Sequence, residues 1–212
     1  MSCKETDSNA YARGIDVSRW QGRIDWARVA SAGITQAMVK MTEGGTYVDP
    51  RFVENFRGMR DQSLRAGVYH YFRALSSTPC EQLANIRKQL AEVGFEAGRD
   101  LLAIDVETQH NEQASPDQMA DALHSLVTSV RALLDGAYPL IYTSPELWDR
   151  SVAWHKHEFS ECPLWVAHWQ VDEPSLPQSW SRRGKSWSWW QHSSKGLVDG
   201  IQGEVDLDWV KA

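Results

Sequence analysis

An apolar segment of the chain ends in two carboxylates at alternate positions. In LLAIDVET (residues 101–108), four apolar residues precede Asp105 and Glu107. The apolar run predicts a strand that is buried on both faces, and a buried carboxylate without a partner is strongly unfavourable. Residues i and i+2 of a strand point to the same side, about 6.7 Å apart. We therefore expect Asp105 and Glu107 to leave the buried part of the strand together and to face one cavity.

Paired carboxylates of this kind suit the hydrolysis of a glycosidic bond. One protonates the leaving oxygen while the other supports the developing positive charge, so the two need different protonation states. With an ordinary pKa near 4.3, only about one glutamate in 500 is protonated at pH 7, whereas a pKa near 6 leaves about one in ten protonated. We expect the negative charges of Asp16, Asp105 and Asp206 to raise the pKa of Glu107 towards that value.

Eight strand-like segments alternate with helical patterns along the chain. The strand segments are residues 14–18, 34–41, 66–72, 101–108, 138–144, 163–169, 186–193 and 204–209. Helical patterns follow the first four, and two of them begin with strong capping signals, Thr78-Pro79 and Ser115-Pro116. Alternating β and α units predict a parallel sheet covered by helices, and eight strands predict a closed barrel. Because little helix separates the last strands, we expect an irregular TIM-like α/β barrel of eight strands with fewer than eight helices.

In such barrels the reacting side chains lie at the carboxyl ends of the strands. Asp16 ends the first strand, Asp105 and Glu107 end the fourth, and Asp206 lies in the last. Other polar or aromatic residues at or near strand ends are Tyr69, Tyr71, Tyr142, His168 and Gln191. Alternative interpretations stay open for three of these residues: Asp16 and Asp206 could cap neighbouring turns, and His168 could be a hydrogen-bonded core histidine.

Bulk composition narrows the classes of function. The net charge of −6 and the pI near 5.6 argue against a nucleic-acid partner. No apolar run approaches the roughly 18 residues of an integral membrane segment. A metal site built from Asp105, Glu107 and His168 is conceivable, but no HExxH or Cys/His spacing supports it. We expect neither a metal nor a cofactor.

The first twelve residues differ from the rest of the chain. They are polar and without periodicity, which predicts a disordered or anchoring tail (1–12) before a single catalytic domain (13–212). No export signal is visible. Cys3 could be the lipidated cysteine of a lipoprotein, or it could be a chance residue in the tail. Cys80 and Cys162 could form a disulfide, or at least one could be a buried thiol.

Seven segments, spread from Gly14 to Trp209, resemble the lysozymes of glycoside hydrolase family 25, the Chalaropsis-type muramidases. These segments are GIDVSRWQGRIDW, MVKMTEGGTYVDPRF, RAGVYHYF, LLAIDVE, PLIYTSPELW, PLWVAHWQV and WSWWQHSSKGLVDGIQGEVDLDW. The resemblance implies an irregular α/β barrel that hydrolyses the β-1,4 bond between N-acetylmuramic acid and N-acetylglucosamine in peptidoglycan. It also implies action outside the cytoplasm, on glycan strands, and we expect a monomer.

The resemblance also implies roles for residues of the rim, which is the end of the barrel where the strands have their carboxyl ends. Glu107 matches the general acid/base, and Asp105 matches a partner that assists the acetamido group of the substrate as an internal nucleophile. Asp16 and Asp206 match two further rim acids. The positions implied to shape the sugar groove and its entrance are Tyr69, Tyr71, Tyr142, Trp190, Lys40 and Glu43. Relatives often read WQY and VDxN where this chain has Trp190-Gln191-His192 and Asp206-Leu207-Asp208, which we expect to affect subsite preference and pH optimum.

Two alternative functions use the same scaffold. A catalytically silent glycan-binding protein would have lost an acid, and all four are present. A chitinase-like or endo-N-acetylglucosaminidase barrel would show a longer acidic ladder, D-x-x-D-x-D-x-E, which apolar residues interrupt here. The sequence leaves open the biological role, the export route, the retaining or inverting course, and the tolerance of modified glycans.

Overall fold

Nine strands form one sheet, and eight of them close into a barrel. The computed structural model describes residues 11–211, and its strands are β1 (Ala12–Val17), β2 (Gln36–Glu43), β3 (Tyr47–Val48), β4 (Arg65–Tyr71), β5 (Leu101–Asp105), β6 (Leu140–Thr143), β7 (Leu164–Ala167), β8 (Trp187–Gly196) and β9 (Val205–Val210). Their order around the barrel is β1-β9-β8-β7-β6-β5-β4-β2, and pairing of β1 with β2 closes it. The predicted eight-stranded barrel is confirmed. The sequence pattern does not predict β3, a short hairpin partner of β2.

The barrel is mixed, so the expectation of an entirely parallel sheet is wrong for its last strand. Strand β9 runs antiparallel to both β8 and β1, whereas the other barrel strands are parallel to their neighbours. Only residues 197–204 separate β8 from β9. A parallel connection needs a crossover of a dozen or more residues, so this short segment can form only a hairpin.

Six α-helices connect the strands within residues 11–211: α1 (Trp26–Ser31), α2 (Phe52–Asp61), α3 (Pro79–Val93), α4 (Pro116–Arg131), α5 (Pro145–Ser151) and α6 (Gln178–Ser181). The expectation of fewer than eight helices is confirmed. Helix α3 begins with the predicted capping box, in which Thr78 accepts a hydrogen bond from the amide of Glu81, and ends at the left-handed Gly94. None of these helices is both long and apolar enough to cross a membrane.

Alternation along the strands separates an inner layer from an outer layer. The inner layer fills the barrel with Met38, Ala103, Leu140, Trp165, Trp189 and Val210. Their sequence neighbours point outwards and form the larger core beneath the helices. At Gly67, an added Cβ would lie 2.3 Å from the sulfur of Met38, so the interior is filled up to that strand's backbone. Within the barrel, a ligand can therefore lie only above this layer, at the end where the parallel strands finish.

The amino-terminal boundary lies earlier than the sequence suggests. Ala12 begins β1 and pairs with Val210, and the ring of Tyr11 packs 5.0 Å from that of Trp187. Residues 11 and 12 therefore belong to the barrel rather than to the tail predicted for residues 1–12. Cys3 lies outside the described residues. Within them, Cys80 and Cys162 are free thiols, and Cys162 is buried as one interpretation expected.

Candidate active site

Four strand-end acids converge on one small cavity at the upper rim of the barrel. The cavity has a volume of about 110 Å³ and is lined by Asp16, Tyr69, Asp105, Glu107, Tyr142, Trp165, Gln191 and Asp206. The strand members of this set occupy inward positions of the sheet, above the apolar inner layer. Seven of these eight residues were predicted from the sequence as site residues, and Trp165 was not.

Glu107 lies beyond the end of its strand, and its backbone is held there by other elements. Strand β5 ends at Asp105, two residues earlier. The side-chain amide of Asn111 donates to the backbone oxygens of Glu107 (3.0 Å) and Phe72 (2.9 Å), and the hydroxyl of Tyr71 donates to the backbone oxygen of Gln109 at 2.7 Å. Asn111 is buried and carries no motif by which the sequence could have revealed it.

Burial and the neighbouring charges set the protonation of the Asp105–Glu107 pair. Burial raises the pKa of Glu107, Asp206 and Glu43 raise it further, and the Lys40 ammonium lowers it. Burial likewise raises the pKa of Asp105, and the negative charge of Glu107 adds to the effect. The hydrogen bond with Asp105 lowers the pKa of Glu107, which is opposite in sign to the crowding expected from the sequence.

Asp16 anchors the opposite wall of the cavity through Gln191. The side-chain amide of Gln191 donates to the Asp16 carboxylate at 2.7 Å. The Gln191 side-chain oxygen accepts from the Tyr142 hydroxyl and from the Trp169 indole, each at 3.0 Å. These three contacts fix the orientation of the amide, because its nitrogen faces an acceptor and its oxygen faces two donors. Trp169, nearly half exposed, extends this wall beyond the cavity.

Asp208 lies below the cavity floor and was not predicted as a site residue. Its Oδ1 accepts from the indole nitrogen of Trp165 at 2.8 Å. Burial raises its pKa to about 7, although the Trp165 hydrogen bond lowers it. Period-2 alternation from Asp206 points to this position, since residues i and i+2 share a face.

Lys40, Glu43 and Tyr71 lie beside the acid pair. The Lys40 ammonium donates to Glu43 at 2.8 Å, and Glu43 also pairs with Arg73. The same ammonium lies 4.7 Å from the centre of the Tyr71 ring. This cation contributes the positive charge that lowers the pKa of both Asp105 and Glu107.

Two of the expected groove residues, Trp190 and His168, do not line the cavity. Trp190 neighbours the inward Gln191 on β8, so alternation turns it to the outer face, where its ring packs 5.9 Å from that of Trp187. His168 follows β7 and accepts from the Ser175 amide at 3.0 Å, while its backbone oxygen accepts from the Trp190 indole at 2.7 Å. Both residues support the wall of the cavity from outside.

The cavity chemistry is that of acids and hydroxyl groups. Within residues 11–211, no three carboxylate, thiol or imidazole groups converge in a geometry that could hold a metal ion. Burial raises the pKa of the Tyr69 and Tyr142 phenols, so both remain neutral hydrogen-bonding groups. The arrangement can deliver a proton from a carboxylic acid and stabilise a positive charge with the remaining carboxylates.

Comparison with known proteins gives consistent matches. Residues 15–201 match the family model described as glycosyl hydrolases family 25. The chain is 36% identical over 200 residues to a protein of Escherichia coli O157:H7 named uncharacterized protein YegX, and 31% identical over 202 residues to lysozyme M1 of Streptomyces globisporus. In both cases the match covers 92% of this chain and about two thirds of the relative, 68% and 66%. The bacterial lysozyme of Streptomyces coelicolor superposes with a TM-score of 0.84 at 30% identity, covering 97% of this chain and 94% of that one.

Proposed function

The chain belongs to glycosyl hydrolases family 25, and from this membership and the geometry of the rim we propose that it is a lysozyme that cleaves peptidoglycan glycan strands. The bond cut is the β-1,4 bond between N-acetylmuramic acid and N-acetylglucosamine. The observation that carries the proposal is the convergence of Asp16, Asp105, Glu107 and Asp206 on one cavity. A silent glycan-binding protein would not need four acids held close together against their mutual repulsion.

Glu107 is the general acid of the proposed reaction. It is only partly buried, whereas Asp105 is 4% exposed, so Glu107 is the member of the pair that reaches a bound glycan. Its raised pKa keeps a fraction of the molecules protonated near neutral pH. The hydrogen bonds that Asn111 and Tyr71 make to residues 107–111 hold this segment in one position for proton transfer.

The remaining acids stabilise the positive charge that develops on the sugar ring. As Glu107 protonates the leaving oxygen, the ring acquires oxocarbenium character, and Asp105 supports this charge and the assisting acetamido group. Asp16 and Asp206 add negative charge from the opposite side of the cavity. A cavity with limited access to water strengthens these interactions.

The sugar-binding wall consists of Tyr69, Tyr142 and Gln191, with Trp169 extending it outwards. Phenol hydroxyls and a fixed amide suit the hydroxyl and acetamido groups of amino sugars. The partly exposed Trp169 ring offers an apolar face for stacking on a sugar. Tyr71, Lys40 and Glu43 border the acid pair at the entrance.

Analysis of digestion products tests the bond specificity. Purified peptidoglycan is digested, and the reducing-end sugar of the soluble fragments is identified by mass spectrometry after borohydride reduction. Reduced N-acetylmuramic acid at the fragment ends is the expected result. Reduced N-acetylglucosamine would instead assign the protein to the endo-N-acetylglucosaminidase type.

The substrate places the action of the enzyme at the cell wall, outside the cytoplasm. Secretion, residence in the periplasm and lipid attachment at Cys3 are all compatible with this location, and radiolabelled fatty acid would identify the last of them. We further propose that the enzyme acts as a monomer without a metal or cofactor, with the barrel of residues 11–211 as its catalytic domain.

A further inference from the structure

Asp208 is a buried carboxyl group that the proposed reaction does not use directly. It is 1% exposed and is not among the residues that line the cavity. Its Oδ1 accepts from Trp165, but its Oδ2 has no hydrogen-bond partner within residues 11–211. A buried ionised carboxylate with an unpaired oxygen is unfavourable. That oxygen therefore requires a proton or a donor.

Another carboxyl group, that of Asp16, lies on the neighbouring strand close to Asp208. Asp208 lies opposite Gly14 in the antiparallel pair of β1 and β9, and Asp16 follows two residues later on the same face of β1. A Cβ at Gly14 would lie only 3.2 Å from the Cβ of Asp208, so the glycine leaves space for the acid. The negative charge of Asp208 contributes to the raised pKa of Asp16, and two such acceptors can form a hydrogen bond with each other only when one of them carries a proton.

We propose that Asp208 is a positioning residue for the glycosidase reaction, which shares one proton with Asp16 and thereby fixes Asp16 and Gln191 at the cavity wall. The inference rests on the proposed function. Asp16 accepts a hydrogen bond from the side-chain amide of Gln191 at 2.7 Å. The side-chain oxygen of Gln191 in turn accepts hydrogen bonds from Tyr142 and Trp169. Loss of the shared proton leaves two adjacent negative charges, whose repulsion displaces Asp16 and loosens this chain of contacts.

The surroundings of the pair favour retention of the proton up to neutral pH. Around the pair lie two acids, two neutral phenols, one amide and one indole: Asp206 on β9, Asp105 on β5, Tyr69 on β4, Tyr142 on β6, Gln191 on β8 and Trp165 on β7. The Lys40 ammonium acts on Asp105 and Glu107 instead. Burial raises the pKa of Asp16 well above its ordinary value and that of Asp208 to about 7. Because the two carboxyl groups interact, each titration step describes the pair and not one residue alone.

Asp208→Asn tests the proposal because the amide imitates the protonated state at every pH. Its nitrogen donates to Asp16 while its oxygen accepts from Trp165. We expect the ratio of kcat/KM on peptidoglycan, variant over parent, to be near one at about pH 5. As the pH is raised to about 8, the parent progressively loses the protons of the pair while the amide keeps its donor, so the ratio should rise severalfold. Titration of Glu107 affects both proteins and largely cancels in the ratio.

Controls separate this inference from the function on which it rests. Asp61→Asn changes an exposed acid, and its ratio to the parent should stay flat with pH. A ratio for Asp208→Asn that stays within twofold between about pH 5 and about pH 8 would overturn the inference and leave the lysozyme assignment intact. Absence of peptidoglycan cleavage by the parent at every pH would instead contradict the proposed function.

Infrared spectroscopy provides a readout that does not depend on activity or on the stability of one variant. The parent should lose protonated-carboxyl absorption near neutral pH, and the loss should be smaller by one group in Asp208→Asn, in which Asp206 and Glu107 still titrate. Trp165→Phe removes a donor that lowers the pKa of Asp208, so it should move this loss to higher pH. The shared proton would be contradicted if the carboxyl absorption disappeared at the same pH in the parent and in Trp165→Phe. It would also be contradicted if neither protein lost such an absorption near neutral pH.

Discussion

Asp16 and Asp206 lie directly opposite each other on the antiparallel strands β1 and β9. Strand β1 runs towards the rim and β9 runs away from it, so one acid lies near the end of its strand and the other near the start. Seven barrel strands thus present their carboxyl ends at this rim, and the eighth presents its amino end. Like charges directly opposite each other are destabilising in a sheet. The presence of two acids at this pair of positions is therefore explained by the chemistry of the site and not by the stability of the fold.

Glu107→Gln should lower turnover of peptidoglycan by about 10² to 10⁴-fold, the usual contribution of a general acid. Glutamine keeps the shape and can donate a hydrogen bond, but it cannot deliver a proton, so glycan binding should persist. Steady-state turnover and a pull-down on insoluble peptidoglycan measure the two effects. The matched control is Glu92→Gln on the exposed face of α3, which should behave as the parent. Turnover of Glu107→Gln within threefold of the parent would place the acid elsewhere, with Asp206 the next residue to test.

Lys40→Met should shift the alkaline limb of the kcat/KM profile upwards by about one pH unit. The ammonium lowers the pKa of Glu107, so its removal makes the acid harder to ionise and keeps it protonated to higher pH. Lys88→Met, on the exposed face of α3, removes the same charge far from the rim and should leave the limb in place. A downward shift for Lys40→Met would show that Lys40 does not act on the acid electrostatically.

Dialysis against a chelator should leave the activity unchanged. The proposed chemistry uses proton transfer and carboxylate charge alone. Activity on peptidoglycan is compared before and after dialysis, and again after addition of zinc or magnesium. Recovery of a lost activity by either ion would show that the acids of the rim act on a metal.

Local sequence patterns predict the scaffold and the acids well. The capping residues Thr78 and Ser115 mark the starts of α3 and α4 as expected. The change from apolar to acidic residues in LLAIDVET identifies the point at which β5 reaches the rim. Both signals are local, since a cap depends on residues one turn apart and a rim position depends on alternation within one strand.

The features that the sequence does not reveal depend on contacts between distant segments. Asn111 fixes Glu107 by reaching the backbone at residue 72. Trp165 is identified as a site residue only by its place in the cavity wall, which the closure of the barrel creates. The direction of β9 depends on the short hairpin from β8, which the strand pattern alone does not specify. Trp190 was misplaced because several aromatic residues occur in succession there, and only the inward position of Gln191 decides which of them face outwards.

Gln191→Leu and Trp190→Phe should separate the two faces of β8. Leucine breaks the contacts to Asp16, Tyr142 and Trp169, so kcat/KM should fall at least about tenfold, since each lost hydrogen bond to a charged group is worth about 1.5–3 kcal/mol. Trp190→Phe changes only the outer face, so it should lower the free energy of unfolding by about 1–3 kcal/mol with activity within about threefold of the parent. Urea denaturation and steady-state kinetics measure both variants. The reverse pattern would place Trp190 in the groove after all.

The fold should lose stability as the pH rises from about 6.5 to about 8. The pKa of Asp206 is raised to about 6 and that of Asp208 to about 7, above their unfolded values. The folded state therefore binds protons that the unfolded chain has already released, and this contribution disappears as the pH rises through those values. The buried His70, whose pKa is lowered to about 4, acts in the opposite direction, but only below about pH 6.5, where the unfolded histidine becomes charged.

The two retained protons outweigh the opposing effect of the one histidine, so these groups make stability fall with rising pH both below and above pH 6.5. Each retained proton changes the free energy of unfolding by up to about 1.4 kcal/mol per pH unit, so we expect a decrease of about 1–2 kcal/mol between about pH 6.5 and about 8. Urea denaturation at both pH values measures it. Asp208→Asn cannot release the proton and should show a smaller decrease, whereas the exposed Asp61→Asn should match the parent. If the free energy of unfolding of the parent rose over this interval, the prediction would be wrong. That result would mean that Asp206 and Asp208 are already ionised in the folded protein below pH 6.5.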